Sequence, residues 1–470
     1  MSSSSAAFIE ALRRCIGAAN VLVDEVGVAP YVSDWRGAFR GEALAVACPA
    51  STGEVADVVR LCRRERVPVV PQGGNTGMCG GAIPDASRTS VVVALRRMNR
   101  ILAVDARNDA ITVEAGCVLA QVQEAAATAG RLFPLSLAAE GSCQIGGNLS
   151  TNAGGINVLR YGNARDLVLG LEAVLPDGSV WNGLRALRKD NRGYDLKHLF
   201  IGAEGTLGII TGAVLKLFPR PAEQVSALVA LREPEDAVTL LASIRERQGD
   251  ALIAFELIGR ACLDLVYAHV HGTRDPFGQP HPWYVLLDVA GSHRDGGLRE
   301  GLERLLAESA EQGSVADAVI AQTVAQGKDL WRLRESIPDA IRAAGPALRS
   351  DIAVAVDRIP RFIADATDAV LRSMPAVRIV CFGHVGDGNL HFNVLPPAGP
   401  KAQSDWSKPL YPVLYDVVDA LGGSFSAEHG VGQAKRAELA RYKSDVELAM
   451  MRTLKQAFDP LNLMNPGKIL

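Results

Sequence analysis

Eleven consecutive residues, Pro71-Gln72-Gly73-Gly74-Asn75-Thr76-Gly77-Met78-Cys79-Gly80-Gly81, hold five glycines and no charged side chain, and they follow the apolar run Val67–Pro71. Glycine enters backbone conformations that other residues avoid, so such a loop lets successive main-chain N–H groups curl around an anion. With no Lys or Arg present, a phosphate here would be held by amides alone. The loop lacks Gly-Lys-Ser/Thr, which argues against an ATP-hydrolysing P-loop. No Gly-x-Gly-x-x-Gly stands between a strand and a helix, which argues against a Rossmann dinucleotide site. Taken alone, the segment also reads as an ordinary glycine-rich bend.

Two further segments extend the pattern. One is Pro134-Leu135-Ser136 followed by Glu140–Gly155, with Gln144-Ile145-Gly146-Gly147-Asn148 at its centre; the other is Gly202–Ile210. Both are rich in glycine, amides and hydroxyls and nearly free of charge. Loops of this kind bring main chain close to a large, flat, polar ligand.

The remaining texture is α/β in the first third. Ser51-Thr52-Gly53-Glu54 reads as a capping box opening a helix with Val55, Val58, Val59 and Cys62 on one face. Strands are predicted at Val67–Pro71, Ser90–Leu95, Ile101–Val104 and Ala110–Glu114, and a helix at Leu119–Thr128. From about 225 to 400, apolar runs (Ala227–Leu231, Trp283–Val289, Ile352–Val356, Arg378–Phe382) alternate with amphipathic stretches (Glu235–Arg247, Leu298–Gln312, Arg361–Ser373). This pattern predicts a sheet covered by helices on one face. Helices near 409–421 and 446–458 close the chain.

Composition sets the outer bounds. In 470 residues, 49 Lys and Arg nearly balance 52 Asp and Glu, which disfavours a broad nucleic-acid or membrane surface. The eight cysteines form no CxxC pair, so neither a zinc ribbon nor an iron–sulfur motif is legible. No stretch has the length of a membrane span, and Met1–Glu10 does not read as a signal peptide. The expected address is cytoplasmic, and no nucleic-acid or integral-membrane contact is expected.

The three glycine-rich loops, in this order, resemble the vanillyl-alcohol-oxidase/p-cresol-methylhydroxylase FAD-binding superfamily. Within it, the chain is similar to the D-2-hydroxyglutarate and D-lactate dehydrogenase branch, over essentially its whole length. The resemblance implies an α+β fold in three parts. These are a two-subdomain FAD-binding domain of the vanillyl-alcohol-oxidase type (1–219), an α+β, ferredoxin-like substrate or cap domain with a metal-site hairpin (220–408), and a C-terminal helical segment returning to the FAD site (409–470). It implies FAD contacts from Gly73, Gly74, Asn75, Thr76, Gly77 and Met78. Further contacts are implied from Pro134, Glu140, Gly141, Ile145, Gly146, Asn148, Thr151, Asn152 and Gly154, and from Glu204, Gly205, Ile210 and Asn465. Some superfamily members bind FAD covalently through a His in the first loop. Asn75 and its neighbours include no His, so non-covalent FAD is expected.

A second constellation is Gly383-His384-Val385-Gly386-Asp387-Gly388-Asn389-Leu390-His391-Phe392-Asn393. Two predicted strands flank a Gly-Asp-Gly turn. A hairpin would set His384 and His391 at adjacent ends, with His391 and Asn393 on one strand face. Two imidazoles so placed suit a divalent metal of the zinc or manganese type; packed structural histidines are the alternative. Ser426-Ala427-Glu428-His429-Gly430-Val431-Gly432 reads either as a surface loop or, by the resemblance, as the rest of the site. The resemblance makes Glu428 the third ligand to the metal (zinc, with manganese or cobalt as alternatives) and His429 the catalytic base.

Arg334 matches the family's substrate-anion arginine, although a solvated helix arginine explains the sequence equally well. Enzymes of the 2-hydroxyglutarate type carry a threonine near Pro338 and a lysine near Arg349. Pro338 removes that hydroxyl, and Arg349 keeps the charge with another geometry. Arg334, Arg349 and Asn393 are the candidate substrate contacts. The implied reaction is oxidation of D-2-hydroxyglutarate to 2-oxoglutarate by hydride transfer to flavin N5. D-lactate or a glycolate-type acid is the alternative substrate. A metal-dependent hydrolase and a non-catalytic FAD-binding subunit are the readings from other classes. Electrons must leave to a separate acceptor, such as an electron-transfer flavoprotein or a quinone, and a homodimer is compatible with the chain.

Overall fold

The computed structural model describes residues 3–293, 295–396 and 406–470. The chain forms two compact units. The first takes the chain up to Gly154, then Gly162–Arg220 and Glu428–Leu470; the second takes Gly155–Tyr161 and Pro221–Ala427.

In the first unit, Ala45–Ala47 and Val69–Gln72 flank Val91–Ala94 in parallel, and Val21–Leu22 adds an antiparallel edge. All four residues of Val91–Ala94 are buried, as expected of a parallel strand covered on both faces. The helix Thr52–Glu65 connects two of these strands and buries Val55, Val58, Val59 and Cys62, the face that its periodicity marks. Its cap differs from a full capping box. Ser51 Oγ accepts from the Glu54 N–H at 3.2 Å, but the Glu54 carboxylate accepts from Ala50 N–H at 2.8 Å rather than from Ser51. A second, antiparallel sheet runs Ile101–Asp105, Ala110–Glu114, Ile209–Lys216, Val168–Val174, Val180–Gly183.

The chain's last segment returns to the first sheet. Val69 N–H donates to the Leu463 carbonyl at 2.8 Å, and Asn465 N–H donates to the Val69 carbonyl at 2.7 Å. The tail is thereby paired with the strand that leads into the glycine loop.

The second unit is built on one seven-stranded antiparallel sheet. Its order is Asp317–Ile320, Glu223–Leu231, Trp283–Gly291, Leu252–Gly259, Arg378–Gly383, Asn389–Leu395, Ile352–Ala353. In chain order the first four strands read 4-1-3-2, with Pro234–Gln248 and Gly297–Glu311 as their connecting helices, the ferredoxin-like βαββαβ arrangement. Helices cover both faces of this sheet, not one. Pro234–Gln248 and Gly297–Glu311 pack on one side. Arg260–His269, Val324–Glu335 and Ile337–Ala344 contribute to the core that holds Leu228, Ala230, Ile258, Tyr284, Leu286, Val380 and Phe382. The strands say so themselves: every residue of Leu252–Gly259 is buried, with apolar side chains on both faces and Glu256 the one charged exception. The predicted strand Ile352–Val356 stops at Ala353, where Ser424 pairs with it through two main-chain bonds, and a 3₁₀ turn takes Val356–Arg358.

Candidate active site

In the first unit, the end of Val69–Gln72 is fixed before the glycine loop begins. The buried Gln72 amide donates to the Tyr31 carbonyl at 2.9 Å and to the Ala82 carbonyl at 2.8 Å, which pins both feet of the loop. At Gly74 a Cβ would stand 2.1 Å from the Ser142 carbonyl oxygen, so only glycine allows this loop to lie against the segment before helix Ile145–Ser150. Asn75 occupies the left-handed region at φ 55° and donates from Nδ2 to the Ser33 carbonyl at 2.9 Å.

These elements wall a cleft. Gly73 to Met78, Gly146 to Asn148, Ser150, Thr151, Glu204, Gly205, Ile209, Ile210 and His429 all line it, and among the described residues no Lys or Arg does. At Gly77 and Gly147 a Cβ would meet nothing within 4 Å, so bare main chain faces open space there. Gln144 Oε1, on the same wall, is buried without a hydrogen-bond partner among the described residues.

Other predicted contacts brace the cleft instead of lining it. Glu140 Oε1 accepts from Ser136 Oγ at 2.7 Å and from Leu137 N–H at 3.1 Å. Asn152 Oδ1 accepts from Arg165 N–H at 2.9 Å. Ile145 lies in the core, and Asn465 Nδ2 ties the Gly81 carbonyl (3.0 Å) to the Glu204 carbonyl (2.7 Å). Pro134, Gly141 and Gly154 are not among the lining residues. Glu204 itself is buried, and burial raises its carboxyl against the opposing pull of the Val431 and Gly432 N–H groups and of Lys435 and Lys468.

In the second unit, Arg378–Gly383 and Asn389–Leu395 form the expected hairpin, with Phe382 opposite His391. Gly388, at φ 89°, is required because a Cβ there would stand 2.2 Å from the Val354 carbonyl oxygen. The His384 and His391 rings lie 5.8 Å apart between centroids. Asn393 shares the His391 strand face but is 4% exposed, and its Nδ2 donates to the His391 carbonyl at 3.5 Å.

The residue that organises this region is one that the sequence reading missed. Glu256, fully buried in the strand Leu252–Gly259, hydrogen-bonds His384 Nδ1 through Oε1 and accepts from Arg334 Nε through Oε2 at 2.7 Å. Arg334 is 7% exposed, not solvated, and its guanidinium lies 4.6 Å from the centre of the Phe382 ring. Burial would raise the Glu256 carboxyl, but the His384 and Arg334 charges outweigh it and hold it down at about 2. A metal ion at Nε2 would need the neutral ring instead, with the Nδ1–H left to face the Glu256 carboxylate. Arg349 offers its main-chain carbonyl to the Tyr411 hydroxyl at 3.4 Å. Glu428 opens the first unit's last segment, one residue beyond Ala427, whose N–H donates to the Asp351 carbonyl at 3.3 Å.

Comparison with known proteins shows which family the chain belongs to. The family model of the FAD-linked oxidase C-terminal domain matches residues 220–469, and that of an FAD-binding domain matches 43–183. The chain belongs to the FAD-linked oxidases. It is 38% identical over 458 residues to the mitochondrial D-2-hydroxyglutarate dehydrogenase of Arabidopsis thaliana, covering 97% of this chain and 80% of that protein. It is also 38% identical over 465 residues to the D-2-hydroxyglutarate dehydrogenase of Xanthomonas citri pv. viticola, covering 98% and 96%. The crystal structure of p-cresol methylhydroxylase with substrate bound superposes with a TM-score of 0.79 at 17% identity, covering 100% of this chain and 97% of that one, which shows the shared fold.

As an FAD-linked dehydrogenase, the chain has a cleft that suits its cofactor. Glycines present bare main chain, the lining is uncharged but for Glu204 and the ionisable His429, and an amide oxygen is left without a partner. Gln144 and Gly147 lie at the centre of the second glycine motif and line the cleft, although the resemblance implies no FAD contact from either. No helix among the described residues is long and apolar enough to cross a membrane.

Proposed function

We propose that this enzyme oxidises D-2-hydroxyglutarate to 2-oxoglutarate beside a divalent cation held by His384, His391 and Glu428. The carrying observation is Glu256, whose single carboxylate joins the imidazole of a metal-ligand candidate to the guanidinium of a substrate-anion candidate. Two imidazoles and a carboxylate, each offering one ligand atom, are a donor set suited to zinc and leave coordination positions open for substrate. FAD would supply the hydride acceptor, at flavin N5, and the cation would lower the pKa of the substrate hydroxyl.

The chain's own groups do the rest. His429, on the wall of the cofactor cleft, takes the hydroxyl proton. Arg334 has its Nε committed to Glu256, and among the described residues its two Nη groups have no hydrogen-bond partner, so they remain for the distal carboxylate. Non-covalent FAD follows from Asn75 standing where a covalent His would be. The relatives' names support the five-carbon diacid; Pro338, at the start of helix Ile337–Ala344, offers no hydroxyl to it.

The test is anaerobic flavin reduction by the D and L forms of 2-hydroxyglutarate and lactate. The D diacid should bleach the flavin fastest, and His429→Ala should slow that step by roughly 10²–10⁴-fold. Arg334→Ala should cut selectivity for the diacid over D-lactate by about ten- to a hundredfold, the worth of one charge-assisted hydrogen bond. Faster reduction by D-lactate or by an L acid, or no reduction by any of the four, overturns the assignment.

A further inference from the structure

Glu204 combines three features that no cofactor contact by itself explains. Its backbone sits at φ 49°, a conformation rarely adopted by side-chain-bearing residues and often found at functional sites. Its carboxylate is buried. Both carboxylate oxygens are spent on main chain of a distant loop: Val431 N–H donates to Oε1 at 2.7 Å and Gly432 N–H to Oε2 at 2.7 Å. That loop begins at His429.

The fit leaves no room on either side. A Cβ on Gly430 would stand 2.6 Å from Glu204 Oε1, and one on Gly432 would stand 2.1 Å from the Cys79 carbonyl oxygen. Cys79, at the end of the glycine loop, also accepts from Gln433 N–H at 3.0 Å and donates from Sγ to the Gly430 carbonyl at 3.3 Å. Glu204 is itself anchored at both main-chain groups: its N–H donates to the Ser150 carbonyl at 2.8 Å, and its carbonyl accepts from Asn465 Nδ2 at 2.7 Å. Residues 430–433 are therefore held between Glu204 and the glycine loop, and His429 is the next residue out, facing the cleft.

We propose that Glu204 is a positioning residue that acts through His429, its carboxylate fixing the Gly430–Gly432 turn so that the imidazole is held at the cofactor cleft. This inference rests on His429 being the base. Two charge-assisted bonds into one turn restrict the imidazole's origin in a way that a neutral side chain cannot reproduce. A misplacement of about 1 Å in a reacting group costs on the order of 10²-fold in rate.

The experiment uses the FAD-loaded enzyme and four variants: Glu204→Gln, Gly430→Ala, His429→Ala, and the double variant Glu204→Gln/His429→Ala. Glutamine keeps one acceptor but turns an NH₂ toward the other N–H. It should slow anaerobic flavin reduction at saturating D-2-hydroxyglutarate by roughly 10–100-fold, with FAD content and the substrate dissociation constant unchanged. Gly430→Ala, which presses on the same turn from the opposite side, should show the same rate-selective loss. The double variant should be no slower than His429→Ala alone, because a residue acting through His429 has nothing to act on once the imidazole is gone. If the Glu204 loss multiplies onto the His429→Ala loss, the base stands and the positioning role falls. Release of FAD by Glu204→Gln also overturns it, making the carboxylate a cofactor anchor. If His429→Ala reduces the flavin at the normal rate, the base assignment fails and this inference fails with it.

Discussion

Replacing Glu256 with glutamine is the most informative single perturbation of the second unit. The carboxylate is fully buried, with Arg334 Nε at 2.7 Å and His384 Nδ1 on its other oxygen. Glutamine preserves shape but offers one acceptor where two donors converge, so one donor faces an NH₂ and the Arg334 charge loses its counter-ion. Removing one partner of a buried pair costs about 3–5 kcal/mol, because the remaining charge is left uncompensated. At roughly 2–4 °C per kcal/mol for a domain of some 200 residues, thermal unfolding of the second unit should come about 6–20 °C earlier. The same change frees the His384 ring to rotate and to exchange tautomers, and loss of such an outer partner lowers metal affinity by about 10–100-fold. Differential scanning calorimetry measures the first effect, and competition with a chelator of known affinity measures the second. If the unfolding temperature falls while metal affinity holds, the carboxylate serves packing only. If neither moves, the geometry argued for this triad is wrong.

The proposed cofactor cleft makes a paired prediction at two glycines. Gly74→Ala drives a Cβ to 2.1 Å from main chain and should destabilise apoprotein and holoprotein alike, whereas Gly77→Ala meets nothing within 4 Å and should leave the apoprotein's melting temperature unchanged while weakening FAD binding. At about 1–3 kcal/mol for an overpacked site, that weakening is roughly five- to 150-fold, read by flavin fluorescence on titration; unchanged FAD affinity in Gly77→Ala would place the cofactor elsewhere. Chelator treatment should stop turnover while acid still releases intact, unbound FAD, and zinc or another first-row ion should restore the rate. Full activity in metal-free protein would remove the metal from the reaction.

Local signals in the sequence carried well where the structure is local. The helix Thr52–Glu65 buries the four residues its period predicts, and Leu119–Thr128 appears with its expected bounds. The glycine loops emerge as walls of one cleft, where Gly74 and Gly146 allow close packing and Gly77 and Gly147 present bare main chain to open space, and this glycine content is visible in composition alone. The coverage of the second sheet was harder to read. A strand buried on both faces gives a continuous apolar run, and Leu252–Gly259 offers no alternation to show which face is covered. The helices Arg260–His269 and Ile337–Ala344, which supply the second layer, are short and follow directly on other elements, so no loop announces them.

Glu256 shows most clearly where the limit lies. One charged residue in the run Leu252-Ile253-Ala254-Phe255-Glu256-Leu257-Ile258 is itself a signal, since a lone carboxylate cannot be buried without partners. That argument could have flagged the residue, but it could not have named Arg334 and His384, which are 78 and 128 positions away. Partners at such separations are chosen by the sheet and the helices packed on it: strand order sets Leu252–Gly259 beside Arg378–Gly383, with Ile258 opposite Phe382, and helix Val324–Glu335 carries Arg334. The Arg334 guanidinium then rests on Phe382, whose neighbour across the hairpin is His391. A buried charge was therefore legible as a demand for partners, and only the strand order together with the packing of helix Val324–Glu335 identifies those partners as the candidate groups for holding metal and substrate.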